Sequence, residues 1–410
     1  MSATLIICPH YPLPESTGAN LRTMHFARYF HRLGPVDIAH ILPRGDAKET
    51  GDLFREVLSL PYLSLRFRHR FLLGLFSGRP PAVYRYQAGS RRKIVARITS
   101  GDYDRILVRY ISSTGLLWGL PATMRRRIIL DFDDILSGSL SDHSPGADPG
   151  LRQQLMRSLV RRWIRRYENK CLQFGATLVC SEGDRVKLDD GRHQSPFVVP
   201  NVYHGGVNLS SFAGNGFGRP HNLLFVGTLD YPPNIQGLQW FLDSVFPRFR
   251  RAYPNGMLTV VGRSPSAQVR ALCERTEGAL LEADVPDLRL FYREARAVVV
   301  PLLAGGGTRI KILEAAAAGR PVLSTPTGAE GLAVCDGRDI LIFRDADEFL
   351  AKYTCLANRM AYDSLVDAAG QVVTEKYSAQ AFEDALNPVL THMHARIRTA
   401  PSRIAKRLVS

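Results

Sequence analysis

The stretch from residue 297 to residue 324 constrains the fold of this chain more than any other part of its sequence. It begins with Ala-Val-Val-Val, a β-branched run typical of a buried strand, and continues into a glycine-rich segment that ends at Gly307. A helical pattern follows from Thr308 to Gly319, and a second apolar run begins at Val322. This order predicts a parallel β-α-β unit, because parallel strands need a crossover connection.

The start of that predicted helix has the chemistry of an anion-binding site. Free N–H groups at a helix start and the positive end of the helix dipole both favour a negative ligand. Arg309 and Lys311 fall in the predicted first turn, where positive side chains oppose the dipole. We therefore predict that a negatively charged group binds at this loop.

The same alternation of short apolar runs and helical patterns continues along both halves of the chain. Predicted strands cover residues 4–8, 36–41, 105–109, 128–132, 176–180, 197–199, 223–226, 258–261, 297–300 and 321–324. Predicted helices cover residues 19–33, 151–174, 235–251, 267–275 and 308–318. This order predicts an α/β protein with two parallel-sheet, Rossmann-like domains that meet near residues 201–219, a segment rich in glycine and asparagine.

Composition narrows the class of protein. The chain has 410 residues, 45% of them hydrophobic and 22% charged, and its apolar runs are too short for a membrane span. The start of the sequence lacks a basic segment and a cleavage site, so we expect no signal peptide. The six cysteines form no Cys-x-x-Cys pair, and we expect buried thiols in a reducing compartment. There is no His-Glu-x-x-His, and we expect no metal site.

The formal net charge of +15 suggests anionic partners. Nucleic acid, an anionic membrane and phosphorylated substrates each fit that charge, as does a basic surface without a specific role. The sequence contains no recognised nucleic-acid-binding motif, so we expect no nucleic-acid partner.

A first candidate functional loop follows the first predicted strand. It runs from Pro9 to Arg22 and includes Gly18, whose missing side chain would let the backbone approach a ligand. The loop does not match Gly-x-Gly-x-x-Gly, and no Gly-x-x-x-x-Gly-Lys-Ser/Thr occurs in the chain. Dinucleotide binding and P-loop chemistry therefore lose their strongest sequence support, and an ordinary surface loop is the alternative.

Three carboxylates, Asp131, Asp133 and Asp134, follow the predicted strand 128–132. Carboxylates at this end of a strand can bind a metal, act as a base or bond a sugar hydroxyl, or they can cap the next segment. Because close carboxylates repel one another, we expect at least one raised pKa among them.

A second glycine turn opens the second half of the chain. Gly227 and Thr228 follow an apolar strand, and Asn234 comes just before a helical pattern, where it could cap that helix. This turn and the loop at Gly305 both follow strands of one predicted domain, so they would meet at the same edge of its sheet.

These segments resemble the nucleotide-binding domain of retaining GT-B glycosyltransferases of family four, also described as glycosyl transferases group 1. The residues that carry the resemblance are Phe225-Val226-Gly227-Thr228-Leu229, Val199-Pro200-Asn201, Pro301, the loop from Gly305 to Thr308, Leu313-Glu314-Ala315 and Gly319-Arg320-Pro321-Val322. The resemblance implies a GT-B fold, with two Rossmann-like domains facing a central cleft. It implies an acceptor-binding domain over residues 1–203, completed by the C-terminal helix (about 378–410), and a nucleotide-sugar-binding domain over residues 204–377.

Enzymes of that family transfer a sugar from a nucleotide-diphosphate donor to an acceptor with retention, without a bound metal or other cofactor. Their acidic motif is a pair of glutamates separated by seven residues. Glu314 matches the second glutamate, which bonds the ribose of the donor, and Gly306 stands where the first would contact the donor sugar. The amides of Gly306 and Gly307 are candidate substitutes for that missing side chain.

Further donor-binding and catalytic residues follow from the same resemblance. The family's diphosphate-binding arginine would fall near Thr228, so we expect Arg309 and Lys311, with Thr308, to supply the positive charge instead. Asp133 stands where the family often has a catalytic-face histidine, and it could orient the donor sugar or accept a proton from the attacking hydroxyl.

Two segments mix arginines with aromatic and aliphatic residues and are candidate membrane-binding surfaces. One covers residues 66–76, from Arg66 to Phe76, and the other residues 151–166, from Leu151 to Arg166. The alternative is a core helix with a solvated arginine face. Many relatives act on lipid-linked acceptors, so we expect a cytoplasmic protein, peripheral on the inner face of the cell membrane.

The leading interpretation is a glycosyltransferase that makes a cell-surface glycan or exopolysaccharide from a nucleotide sugar and a glycan or lipid-linked acceptor. A GT-B sugar-nucleotide epimerase shares the plan and needs no acceptor. A nucleic-acid-binding module or a non-catalytic scaffold is the alternative from another class.

Overall fold

The computed structural model describes residues 3–13, 15, 18–41, 52–61, 66–83, 87–100, 102–117, 119–139, 151–203, 218–307 and 309–398. They form two compact units. Of the described residues, the first unit takes those up to Val202 and those from Phe382 onward, and the second takes Tyr203–Ala381. The last helix of the described residues, 379–398, therefore lies mainly in the first unit, together with the start of the sequence.

Each unit is built on one parallel sheet. In the described residues of the first unit the sheet has seven strands in the order β3-β2-β1-β4-β5-β6-β7. Their bounds are β1 Thr4–Cys8, β2 Val36–His40, β3 Glu56–Ser59, β4 Arg105–Arg109, β5 Ile128–Asp131, β6 Ala176–Val179 and β7 Phe197–Val198. Over residues 218–307 and 309–381, the sheet of the second unit has six strands in the order β10-β9-β8-β11-β12-β13. Their bounds are β8 Asn222–Val226, β9 Met257–Gly262, β10 Ala279–Ala283, β11 Ala297–Val300, β12 Val322–Ser324 and β13 Leu341–Ile342.

Helices connect these strands, as parallel pairing requires. Those of the first unit are α1 Gly18–His31, α2 Phe67–Ser77, α3 Ala88–Thr99, α4 Ala122–Arg125, α5 Leu136–Ser139, α6 Leu151–Cys171, α7 Glu182–Leu188 and, at the end of the chain, α16 Ala379–Arg398. Those of the second unit are α8 Pro232–Trp240, α9 Phe246–Ala252, α10 Ala267–Arg275, α11 Arg289–Glu294, α12 Ile310–Ala317, α13 Pro326–Ala329, α14 Ala346–Cys355 and α15 Arg359–Lys376. None of the helices in the described ranges is long and apolar enough to cross a bilayer.

All ten predicted strands are present, with ends within one or two residues of the prediction. Strands β3, β10 and β13, which lie at sheet edges, were not predicted. Edge strands have one unpaired side and carry fewer buried side chains, so they lack the continuous apolar run that marks a central strand. The predicted helix over residues 235–251 consists of α8, a π-helical turn over Phe241–Val245 and α9.

Both faces of each sheet are buried. In β1, Leu5 and Ile7 belong to the core on one face, while Ile6 and Cys8 belong to the core on the other. The second of these cores includes Phe382 and other apolar side chains of α16. Four cysteines are buried as predicted, but Cys335 and Cys355 are exposed, contrary to the prediction.

Candidate functional sites

The two glycine turns of the second unit lie side by side. They follow β8 and β11, which are neighbouring strands of the sheet. A Cβ atom built on Gly305 would lie 3.4 Å from Cβ of Pro233, and the Lys311 ammonium donates to Oδ1 of Asn234 over 3.0 Å. We call this group of residues the glycine-loop site: Gly227, Asn234, Gly305, Gly306, Gly307, Arg309 and Lys311.

Gly227 is needed where it stands because its neighbours leave no room for a side chain. A Cβ atom there would lie 2.8 Å from Nδ2 of Asn234 and 3.0 Å from Nζ of Lys311. The next strand is equally close, since a Cβ atom on Gly262 would lie 1.7 Å from the carbonyl oxygen of Gly227. Gly262 lets its strand lie against the backbone of the Gly227 turn, and Gly227 lets the side chains of Asn234 and Lys311 lie against that turn.

Asn234 does not cap α8, contrary to the sequence-based suggestion. The capping position belongs to Tyr231, whose side chain makes no capping bond, and two prolines follow it. The side chain of Asn234 instead donates to the carbonyl of Thr228 over 2.9 Å and accepts from Lys311. The prolines fix the start of the helix because their ring geometry suits its first turn, which frees Asn234 to join the two loops.

Lys311 lies in the first turn of α12 with its ammonium 5.1 Å from the centre of the Phe225 ring. Burial, together with the nearby charge of Arg309, lowers the pKa of Lys311 to about 7, while the charge of Glu314 opposes the change. A lysine held in this way gains a proton readily when an anion reaches it.

Arg309 is placed differently from the prediction. The helix begins at Ile310, so Arg309 is its capping residue and lies outside the first turn. Its guanidinium donates to the carbonyls of Gly306 (2.5 Å), Gly305 (2.8 Å) and Gly307, and to that of Thr327 (3.3 Å). These bonds turn the loop carbonyls toward the guanidinium, because its planar set of N–H donors fixes the direction from which each carbonyl bonds it.

Two of the loop glycines have backbone angles that other residues rarely adopt. Gly305 has φ of 118° and Gly307 has φ of 79°. Gly306 and Gly307 are exposed, as is Thr228 in the neighbouring turn. The predicted donor-binding residue Thr308 lies outside the described residues.

Glu314 lies one turn after Lys311 on α12 and accepts a hydrogen bond from the hydroxyl of Tyr292 over 3.1 Å. Burial raises the pKa of the Glu314 carboxyl, although Tyr292 and Lys311 oppose the change. Burial and the charge of Glu314 also raise the pKa of Tyr203 to about 12. Glu314 therefore lies on the same helix as Lys311 and is held by the hydroxyl of Tyr292.

The acidic segment of the first unit is a buried ion-pair network. Asp131 is fully buried between Arg22 and Arg109, which are themselves 1% and 0% exposed. Nη2 and Nε of Arg22 lie 2.7 Å and 3.0 Å from its two carboxylate oxygens, and Nη1 of Arg109 bonds it as well. Burial opposes ionisation of Asp131, but the two guanidinium charges outweigh it and hold its pKa below the ordinary value. Asp131 is therefore not a carboxyl with the raised pKa that we expected among the three, because each of its oxygens faces a cation.

Asp133 has a strained backbone at the end of the same network, with φ of 58°. Its Oδ1 lies 3.6 Å from Nε of Arg22 and 3.5 Å from Nη1 of Arg109. Tyr110, which follows β4, also has a positive φ of 66°. Non-glycine residues in this conformation cost about 1–3 kcal/mol each and cluster at functional sites.

The two arginines also hold the backbone around this cluster. Arg22 donates to the carbonyl of Val199 over 2.9 Å and to Oδ1 of Asn201 over 3.1 Å. Arg109 donates to the carbonyl of Ala19 over 3.0 Å, next to Gly18, which begins α1. We call Arg22, Arg109, Asp131 and Asp133 the buried-arginine site.

Sequence reasoning missed the role of both arginines. Arg109 ends the apolar strand Arg105–Arg109, and a charge at the end of a buried strand needs a partner. Its pairing strand ends in Asp131 at the matching register position, and that coincidence was the available signal. In the described parts of the chain, no three side chains of His, Cys, Asp or Glu come together as a metal site would need.

The two arginine-rich segments lie against each other in the first unit. The Phe71 ring of α2 meets the Trp163 ring of α6 edge to face at 5.7 Å, and a Cβ atom on Gly74 would lie 2.5 Å from that indole. Around this contact both helices expose apolar side chains: Leu72, Leu73, Leu75 and Phe76 of α2, and Leu155, Met156 and Leu159 of α6.

Comparison with known proteins agrees with the geometry of the second unit. Residues 220–359 match the family model described as "Glycosyl transferases group 1". The matched range contains the whole glycine-loop site and Glu314. A curated relative from Klebsiella pneumoniae, described as an uncharacterised 44.6 kDa protein in the cps region, is 30% identical over 131 residues. That match spans 30% of this chain and about a third (34%) of the relative's length.

Solved structures resemble almost the whole chain. HepE of Anabaena, in complex with UDP and glucose, is 14% identical with a TM-score of 0.62, and the match covers 95% of this chain and 100% of that one. WaaG, a glycosyltransferase involved in lipopolysaccharide biosynthesis, is 14% identical with a TM-score of 0.60, covering 94% and 99%. The chain has the GT-B fold. The fold class predicted from the sequence is confirmed by these structures and by the two parallel sheets.

Proposed function

We propose that the protein is a glycosyltransferase that moves a sugar from a nucleotide-diphosphate donor to a glycan or lipid-linked acceptor, with retention and without a metal. The observation that carries the proposal is the glycine-loop site. Two glycine turns, a poorly solvated lysine and a loop held by Arg309 meet at the carboxyl ends of β8 and β11, where α/β sheets bind ligands.

Each group in this site has a distinct task in the proposed reaction. The bond between the anomeric carbon and the diphosphate breaks, a bond to the acceptor oxygen forms, and the acceptor hydroxyl loses its proton. Negative charge then grows on the diphosphate, where Lys311 and the amides of Gly306 and Gly307 can stabilise it. Arg309 adds its charge from behind the loop while it holds the loop carbonyls.

Glu314 is proposed to bond the ribose hydroxyls, because a carboxylate can accept from two neighbouring hydroxyl groups. Burial raises the pKa of the Glu314 carboxyl because the ionised form loses its hydration. The hydroxyls of a bound ribose would supply the hydrogen bonds that water no longer gives to the carboxylate. On the first unit, Asp133 is proposed to accept the proton of the attacking hydroxyl. The strained backbone at Asp133 fits a residue held for function.

A thermal-shift screen against UDP-, GDP-, ADP- and TDP-sugars tests the donor proposal. A donor at 100 times its Kd stabilises the fold by about 2.7 kcal/mol, which raises Tm by roughly 5–10 °C for a unit of this size. The shift should disappear in Lys311→Met and persist in Lys376→Met, a matched change at the exposed end of α15. If none of these donors shifts Tm, the proposal fails.

NMR of the identified donor incubated with the protein alone tests the chemistry. A transferase is expected to leave the donor intact or to hydrolyse it slowly, and the first-formed anomer of the released sugar reports retention or inversion. Conversion to an epimeric nucleotide sugar would instead identify an epimerase. Tight binding without turnover, even with added glycan and lipid-linked acceptors, would identify a scaffold.

We further propose that α2 and α6 bind an anionic membrane surface, from which a lipid-linked acceptor would be reached. Phe76 is 92% exposed and Leu155 is 64% exposed, and arginines of α6 lie beside this apolar surface. Apolar side chains bordered by arginines fit the interface of an anionic bilayer. The apolar side chains insert at the boundary of its acyl chains, and its negative charge attracts the arginines.

Flotation with vesicles tests this surface. Vesicles of phosphatidylglycerol should carry the protein at low salt, and vesicles of phosphatidylcholine should not. Phe76→Ala combined with Leu155→Ala should reduce flotation severalfold, while Met360→Ala, which removes an equally exposed side chain of the second unit, should not. Wild-type protein that fails to float with anionic vesicles at low salt contradicts the proposal.

A further inference from the structure

A second charged pocket lies in the first unit, away from the buried-arginine site. It has a volume of about 580 Å³ and is lined by residues from four separate segments of the chain. Its cationic and titratable lining residues are Arg125, Arg126, Arg192, His193, His392 and Arg396.

This pocket lies at the opposite edge of the sheet from Asp131 and Asp133. Its lining precedes three strands: Arg126 comes before β5, Gln173 before β6 and Gln194 before β7. The buried-arginine site follows β4 and β5. Because all these strands are parallel, the starts of β5, β6 and β7 lie together at one edge and their ends at the other.

The described residues that line the pocket carry many more cations than acids. No carboxylate is among them, and Asp190 pairs with the lining residue His193 from outside the lining. Among the described residues, none pairs with the side chains of Arg125, Arg126 or Arg192, whereas arginines elsewhere in this chain commonly form ion pairs, for example Arg55 with Asp37. Like charges brought together without a counter-charge raise the free energy of the folded state, so an anion bound among these arginines would stabilise it.

The remaining lining groups favour a ligand with several acceptor atoms. Arg396 is held by a bond from its Nη1 to the carbonyl of Gly175 (3.0 Å), and the His193 ring is oriented by Asp190 (2.9 Å). Nε2 of His392 is buried and has no hydrogen-bond partner. Guanidinium groups bond phosphate oxygens in pairs, and a neutral or charged imidazole adds a further bond.

We propose that this pocket binds a multiply charged phosphorylated ligand, of the diphosphate class, at a site separate from the glycine-loop site. The pocket is large enough for a diphosphate and an attached group, and its cations come from both the start of β5 and helix α16. The ligand would be a soluble phosphorylated compound or the headgroup of a phosphorylated lipid. The inference does not depend on the proposed transferase activity, since it concerns other residues in the other unit.

Calorimetric titration of the full chain with inorganic pyrophosphate tests the site. Arg126→Ala combined with Arg192→Ala should weaken binding by at least about tenfold, because two charge-assisted contacts are lost. Arg92→Ala combined with Lys93→Ala, which removes two exposed cations of α3, should change it by less than about twofold. Because the glycine-loop site is itself proposed to bind a diphosphate, both double variants are compared in a Lys311→Met background, where the binding that remains belongs to the pocket. Equal loss in the two double variants would overturn the proposal.

Vesicles containing phosphatidic acid distinguish the two sources of the ligand. If pyrophosphate displaces the protein from these vesicles and Arg126→Ala/Arg192→Ala binds them less, the ligand is a lipid headgroup. If pyrophosphate binds at the pocket without affecting vesicle binding, the ligand is soluble. If neither pyrophosphate nor vesicle binding responds to that double variant, while its Tm is unchanged, the pocket is not a phosphate site.

Discussion

The lowered pKa of Lys311 leads to a quantitative prediction about donor binding. With a pKa of about 7, only about a tenth of the Lys311 side chains carry a proton at pH 8. A diphosphate beside the ammonium restores a pKa near the ordinary lysine value, because an opposite charge favours the charged form. Binding at pH 8 should therefore take up about 0.9 proton, and at pH 6 only about 0.1.

Calorimetry in buffers of different ionisation enthalpy measures that number directly. The proton uptake also predicts that donor affinity falls about eightfold from pH 8 to pH 9, since the slope of log affinity against pH equals the protons taken up. Lys311→Met should abolish both effects, and Lys376→Met should preserve them. An uptake below about 0.3 proton at pH 8, or an equal uptake in Lys311→Met, would refute the reasoning.

Three further predictions concern the framework of the two sites. Asp131→Asn leaves two buried guanidinium groups without their carboxylate, so urea unfolding should show a loss of about 3–5 kcal/mol in the free energy of unfolding at pH 7. Because the folded pKa of Asp131 is lowered, its stabilisation is present above about pH 4 and is lost as the pH falls through that lowered value. The difference in unfolding free energy between the wild type and the variant should therefore disappear at low pH. Gly262→Ala would place a Cβ atom 1.7 Å from the Gly227 carbonyl and should lower Tm strongly, whereas Gly370→Ala, which meets no atom within 4 Å, should not; equal melting of the two would contradict the close approach. Arg309→Lys keeps the charge but loses the planar set of donors to three loop carbonyls, so we expect kcat to fall at least about tenfold in a donor-hydrolysis assay. An unchanged kcat would show that the loop holds its shape without the guanidinium.

In the described parts of the two sheets, the central strands and the edge strand β7 were predictable from the sequence, whereas the edge strands β3, β10 and β13 were not. Strands such as β1 and β11 are buried on both faces and appear as continuous apolar runs. The exposed edge strand β3 has the sequence Glu-Val-Leu-Ser, in which no such run exists. Burial makes a strand visible in the sequence, and an edge strand depends more on its neighbour than on its own residues.

The candidate sites show the same limit at the level of side chains. Gly227, Lys311 and Glu314 were found because each lies within a short local pattern after a strand. The pairing of Arg22 with Asp131 joins residues 109 positions apart, and no local pattern contains both. Arg309 was predicted in the first turn of the helix, whereas it precedes α12. The direction of its guanidinium depends on where the loop carbonyls lie, which the order of residues does not show.

The placement of α16 has a consequence for the order in which the chain can fold during synthesis. The core of the first unit includes Phe382, Leu386 and Val389 of that helix, so this core stays incomplete until the ribosome has added those residues. The second unit, Tyr203–Ala381, is complete before then. We infer that the second unit, whose synthesis starts later, can complete its core first. The first unit keeps an incomplete core until α16 has been synthesised. A nonsense mutation just after the codon of Ala381 would therefore damage the first unit rather than the second unit that it directly follows.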